Sequence, residues 1–263
     1  MPLAEFIRTH VPALEENEVR HNLILGILAR PTSALSEQML TWTLGGPGAC
    51  AIKWPGRGII LGDLTRGQCR SLAETTLGLD YPDVAGLDLA PRWFAERAGE
   101  LGLSFAEPIP QRVHVLRSGP ARQGAEGRAR EVEAADGPLL ADWLMAFWRE
   151  AIPHESMPPR ADLEKMAGSG RYLFWVVECE PVSLAGIARR TRNVAAVAPV
   201  YTPPARRGRG HAGAVTAALA ERLLAEGKTA VCLYTDLRNP ASNRCYARIG
   251  FTPVCDAWVY LRQ

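Results

Sequence analysis

Charge of one sign is what this sequence most lacks. Its 30 Lys and Arg against 28 Asp and Glu leave a formal charge of +2, so a nucleic-acid partner held by bulk electrostatics is not expected. Long hydrophobic runs are missing too. Nowhere do about eighteen apolar residues stand together, and the opening MPLAEFIRTHVPALEENEV has no apolar centre of the signal-peptide kind. No membrane partner is expected, and a cytoplasmic location is. Six cysteines, Cys50, Cys69, Cys179, Cys232, Cys245 and Cys255, form no CxxC pair and have no His partners at zinc spacing, so no metal is expected. Cys232 and Cys245 lie in apolar contexts that suit small core side chains. No Gly-Lys-Ser or Gly-Lys-Thr follows the glycine-rich loop, which excludes a P-loop nucleotide site. What the chain has is length and balance: 263 residues, 47% hydrophobic and 22% charged, a globular composition with room for one large or two ordinary domains.

Its chemistry is concentrated between Val197 and Phe251, which reads strand, loop, helix, strand, helix. The loop RRGRGHAG sets Arg206, Arg207 and Arg209 around Gly208 and Gly210, just before an alanine-rich segment that starts at His211, Ala212 and Gly213. Glycine lets backbone approach a ligand, and the unpaired amides of a helix's first turn, with the positive end of its dipole, favour phosphate. Arginines add mobile positive charge. This is the composition of an anion cradle, although plain solvated turns share it. In the helix that follows, Ala212, Val215, Leu219 and Leu223 predict one buried face, closed by Gly227. TAVCLYT then reads as a central strand covered on both sides. Asn239-Pro240 starts a short helix and Gly250 stops it; on it Asn239, Asn243 and Tyr246 share a face. A capped helix with a core tyrosine is the plainer reading of those three residues.

The block resembles the GNAT superfamily of acyl-CoA-dependent N-acyltransferases. The coenzyme signature of that family, Arg or Gln, two residues, Gly, one residue, then Gly or Ala, is met by Arg207, Gly210 and Ala212. A second signature, Asn near a helix start with Tyr seven residues on and Gly-Phe after the helix, is met by Asn239, Asn243, Tyr246, Gly250 and Phe251. The resemblance implies that acetyl-CoA lies in a splay between two parallel strands. Its pyrophosphate would rest on the amides of the loop from Arg206 to Gly213, and its arm would lie along Val200, Tyr201 and Thr202. Asn239 and Asn243 would hold the coenzyme, and Tyr246 would protonate the leaving thiolate. Pro199 removes one strand amide, so Val200 and Thr202 are the expected backbone contacts.

The fold class implied is α/β, a mixed sheet flanked by helices, in two GNAT-like domains in tandem. From Leu14 to Ala29 a helical pattern runs toward Pro31, followed by MLTWTL, ACAIKW and GIILGDL as strands. A helix from Arg66 to Leu77, a strand VAGLD, a helix PRWFAERAGELG and an extended QRVHVL complete the half. That element order recurs in the second half. In the first half the loop reads GDLTRGQCRS, with the wrong spacing, so residues 1–116 are expected to be a degenerate copy or an unrelated cap. SGPARQGAEGRA marks a linker at 117–129, and 130–263 is expected to be the catalytic domain. There REVEAA is a first strand, Leu139 to Trp148 a first helix, AIPHESMPP an irregular lid, and Asp162 to Met166 a short helix. YLFWVVEC and VSLAGIARR form a hairpin joined at Glu180-Pro181.

Many family members carry a glutamate on the strand VAAVAPVYT as general base; here that strand has none. Glu155 in the lid is the tentative base, with Glu178, Asp236 and His154 as other candidates; for each, a solvated charge is the plainer reading. The expected reaction is direct attack of a neutral primary amine, small-molecule or peptide, on the thioester, without an acyl-cysteine. The alternative is a non-catalytic acyl-CoA sensor or assembly module. The sequence leaves the acceptor open, and monomer and homodimer alike.

Overall fold

The computed structural model describes residues 2–29 and 38–263; Pro31, where the first helical pattern was expected to end, lies outside them. The chain divides into two compact units. One comprises residues 1–114, 234–239 and 253–263, the other 115–233 and 240–252.

The first unit opens with α1 (Leu3–Glu15) and α2 (Glu18–Leu28). The expected helix from Leu14 to Ala29 is thus two, because Asn17 turns the chain and caps α2, its side chain accepting from the Arg20 amide at 3.3 Å. Strands β1 (Leu40–Thr43), β2 (Cys50–Lys53) and β3 (Ile59–Leu61) follow as an antiparallel meander. After α3 (Arg66–Thr75), β4 (Asp83–Leu87) returns parallel to β3, and α4 (Ala90–Glu100) leads to β5 (Ile109–Leu116). Ile59, Leu61, Leu72, Tyr81, Val84 and Phe94 form its core.

The second unit carries β6 (Arg128–Glu131), α5 (Gly137–Ala151), the short α6 (Arg160–Glu164), β7 (Tyr172–Val177), β8 (Glu180–Arg190), β9 (Val194–Tyr201), α7 (His211–Ala225), the first four residues of β10 (Ala230–Asp236) and α8 (Pro240–Ile249). Here β7, β8 and β9 are again antiparallel and β10 again returns parallel to its predecessor. The same strand pairing in both units is the repeat that the element order predicts.

Two expectations need correction. The β7–β8 hairpin turns at Glu178 and Cys179, with φ 46° and 69°, rather than at Glu180-Pro181. A two-residue loop with both φ positive matches the twist of its flanking strands, and Pro181 is absorbed where the register shifts beside Val176. Residues after Phe251, left unassigned above, form β11 (Thr252–Leu261), which pairs antiparallel with β4 from Ala257↔Leu87 to Leu261↔Asp83. Residues 253–263 therefore group with the first unit, outside the contiguous 130–263 division. Alternating residues announce a strand but not the edge it will join.

Candidate active site

Helix α7 is buried on more than one face. Val215, Leu219 and Leu223 are fully covered, as their spacing predicts, but Ala214, Thr216, Ala217 and Ala220 are buried as well. Small side chains let α7 lie close on the sheet while α8 packs on its other flank, so the single buried face expected above is too narrow. Gly213, in the first turn, would set a Cβ 3.4 Å from Cys245 Sγ of α8.

The start of α7 is where the loop acquires its chemistry. Gly208 and Gly210 have φ of 77° and 83°, left-handed values that glycine adopts without strain. Gly210 is the N-cap, and no side chain caps the helix. First-turn amides thus face outward with the positive end of the dipole behind them, a geometry that can hold an anion. His211 is 7% exposed, and burial, then the charges of Arg209 and Arg206, lower its pKa, so the imidazole is neutral.

The three arginines are not equivalent, which corrects the expectation that all supply mobile charge. Arg206 pairs with Glu180 at 2.8 Å. Arg207 donates from Nε to the Thr202 carbonyl at 2.8 Å, pairs with Glu150 at 2.6 Å and lies over the Tyr201 ring at 5.8 Å. Among the described residues Arg209 alone of the three has no ion pair. Glu150, at the end of α5, was not singled out in the sequence; its helix periodicity marks it only as a solvent-facing charge.

Strand β9 delivers the chain to this loop. Its parallel ladder with β10 ends at Ala196↔Cys232, while β9 runs on to Tyr201, paired on its other side through Ala185↔Val200 and Leu184↔Tyr201. The β10-facing edge from Val197 onward is therefore open to a ligand's hydrogen bonds. Ser183 Oγ lies 2.8 Å from Thr202 Oγ1 and donates to the Tyr201 carbonyl at 3.1 Å, which fixes the strand's end.

On α8, Asn243 and Tyr246 are half-buried, whereas Asn239, just before the helix, is exposed. The Tyr246 ring packs on the core edge to face with Phe251, centroids 6.1 Å apart. Burial, with the neighbouring Cys245 thiol adding to it, pushes its phenol pKa well up. Its proton is held firmly at neutral pH.

Residues 138–251 match the model of the acetyltransferase (GNAT) family. The chain carries a GNAT domain. Solved structures of similar fold include an acetyltransferase from the GNAT family of Colwellia psychrerythraea, 10% identical over 84% of this chain and 83% of that one, with a TM-score of 0.56. A GCN5-related N-acetyltransferase from Kribbella flavida is 16% identical over 85% and 89%, with a TM-score of 0.52. A tandem GNAT protein from the clavulanic acid biosynthesis pathway is 14% identical over 91% and 86%, with a TM-score of 0.54. No curated protein matches the chain.

The first unit repeats the GNAT strand pairing but not the cradle. Its corresponding helix, α3, is closed by its own capping box: Thr65 Oγ1 accepts from the Gln68 amide, and Gln68 Oε1 accepts from the Thr65 amide at 2.8 Å. Asp63 stands in that loop, held by Arg20 at 2.6 Å and by His21 at 3.2 Å, and Arg20 reaches Asp88 as well. A carboxylate and a filled cap stand where the second unit has its glycine loop and uncapped helix start.

Of the residues considered as base in the GNAT domain, Glu155 is half-buried in the loop between α5 and α6. Glu178 is exposed at the hairpin turn. Asp236 is engaged by Arg238 through side chain and backbone, Arg238 first among the causes that lower its carboxyl pKa, which makes it a weak base.

Proposed function

We propose that this chain transfers an acetyl group from acetyl-CoA to a primary amine, on a small molecule or a peptide. The observation that carries the reading is the uncapped start of α7, with Gly208 and Gly210 left-handed, at the end of a strand whose parallel ladder has opened. Arg206 and Arg207 brace the loop through Glu180, Glu150 and Thr202, and the unpaired Arg209 remains for a phosphate. The edge of β9 at Val200, with Thr202 just past the strand's end, would take the pantetheine arm and polarise the thioester carbonyl.

Chemically, the amine nitrogen attacks the carbonyl carbon, the carbon–sulfur bond breaks, and the sulfur leaves as a thiolate that takes the Tyr246 proton. The amine's own proton passes to a base, for which Glu155 is the candidate on this chain. Burial raises the Tyr246 pKa, so the phenol would keep its proton until the thiolate forms and takes it. Tyr246→Phe should therefore lower kcat by about a hundredfold or more, within the range for general acids, while the Kd for coenzyme A stays within about threefold. Turnover within a factor of a few of the parent would remove Tyr246 from the leaving-group role.

One observation favours a second reading. Strand β9 carries no carboxylate and Asp236 is already engaged, as would suit a sensor that binds acyl-CoA without turning it over. Such a module would have no use for an acid at Tyr246.

A further inference from the structure

We propose that the segment Ala121–Glu126 occupies the phosphate cradle of α7 when coenzyme is absent, an intrachain gate that coenzyme A displaces on binding. The inference rests on the reading of the α7 start as the phosphate site.

Composition marks this stretch as a linker, yet it is laid across the first turn of α7. The Ala121 amide donates to the Ile249 carbonyl at 2.8 Å, tying one end to the end of α8. At the other end Trp175 Nε1 donates to the Glu126 carbonyl at 2.7 Å. Between these ties Gln123 is braced by its own Nε2, which donates to the Ala121 carbonyl at 2.7 Å. Its Oε1 comes within 3.1 Å of where a Cβ on Gly213 would stand, and the Ala125 methyl lies 3.5 Å from the corresponding point on Gly210. Those two glycines bound the uncapped first turn. The negative charge of Glu126 only partly offsets burial, Arg209 and Arg206, which together lower the pKa of His211, the first residue of α7.

The segment therefore lays the Gln123 amide oxygen and the Ala125 methyl against a helix start that has no side-chain cap, and it carries a carboxylate at Glu126. A phosphate and the segment cannot both lie against Gly210 and Gly213 on the first turn. A wall built to receive a polyanion would not carry Glu126; an internal stand-in for one would. Its ties are few and its backbone is largely exposed, with nothing within 4 Å of a Cβ at Gly119 or Gly124, so release is cheap. Coenzyme affinity is then reduced by the fraction of molecules in which the cradle is open.

Calorimetric titration with coenzyme A of the full chain and of a Gln123→Ala, Glu126→Gln double variant tests the proposal, with a thermal melt on each. The variant is expected to bind at least about fivefold more tightly, the low end of ordinary coupling between sites. Equal or weaker binding by the variant overturns the gate and leaves the cradle reading in place. Absence of binding by both proteins overturns the cradle reading, and the gate with it. Trypsin supplies a second readout on the unaltered chain: cleavage after Arg122 should be faster with coenzyme A than without, and slower or unchanged cleavage contradicts displacement.

Discussion

Replacing Gly210 by valine probes the phosphate site at its most sensitive point. The residue has φ of 83°, and a Cβ there would meet only the Ala125 methyl, at 3.5 Å. Space is available; the backbone angle is the difficulty. Holding a β-branched residue in that region costs on the order of 1–3 kcal/mol, well within the roughly 5–15 kcal/mol of a folded domain, so the protein stays folded. The loop can escape the strain only by turning φ negative, which rotates the peptide planes on either side and carries their N–H groups off the ligand. Charge-assisted hydrogen bonds are worth about 1.5–3 kcal/mol each. Loss of two weakens coenzyme binding by about 3–6 kcal/mol, more than about a hundredfold. Arg209→Ala removes one partly exposed side chain that must lose rotamer freedom to bind, and should cost about 1–2 kcal/mol. Titration calorimetry of both variants, with melts to confirm folding, ranks them. Coenzyme bound by Gly210→Val as tightly as by the parent would refute the reasoning, and so would a larger loss from Arg209→Ala.

In the first unit, burial works against ionisation of Asp63, but hydrogen bonds from His21 and Arg20 outweigh it and hold the carboxyl well below its ordinary range. Because the folded-state pKa is depressed, this stabilisation is complete above the unfolded value of about 4 and is lost as pH falls through the lower one. Asp63→Asn should thus destabilise the chain at pH 7, with parent and variant melting curves converging below about pH 4; a gap that persists in acid would contradict the linkage. Leu219→Ala, at a fully buried position of α7, should cost about 2–5 kcal/mol in denaturant unfolding, and a loss below about 1 kcal/mol would mean the helix is not packed as described. Glu150→Gln removes one member of an exposed ion pair and should cost less than about 1 kcal/mol. The Tyr201 phenol, raised by burial and then by Glu150, should titrate lower in that variant; an unchanged ultraviolet titration would place the carboxylate elsewhere.

Local chemistry was legible in the sequence because spacing encodes it. Two glycines before an apolar period announce an uncapped helix start, and the spacing of Asn243 and Tyr246 puts both half-buried on one helix, with Asn239 exposed just before it; each depends on neighbours within a few positions. Partnerships at long range were not legible. That Arg206 and Arg207 are engaged by Glu180 and Glu150 requires knowing where α5 ends beside β9, and β11 shows the alternation of a strand without naming β4 as its partner. The Gly- and Arg-rich stretch at 117–129 has the composition of a spacer, and composition says nothing of what such a chain lies against. The loop of the first unit reads as a different spacing from that of the second; the capping box that closes α3 is visible as Thr65 and Gln68 only once the helix start is known.

The central claim, that the GNAT domain transfers an acetyl group to an amine, is tested most directly by the rate at which free coenzyme A thiol appears. Acetyl-CoA would be supplied with the parent protein and, in turn, with amino acids, polyamines, aminoglycosides, and peptides bearing free N-termini or lysines. Thiol release that depends on at least one amine class, and that matches the acetylated amine mole for mole by mass spectrometry, is the predicted result. Tight calorimetric binding of coenzyme A with no amine-dependent release from any class would contradict it and leave the chain a binding module.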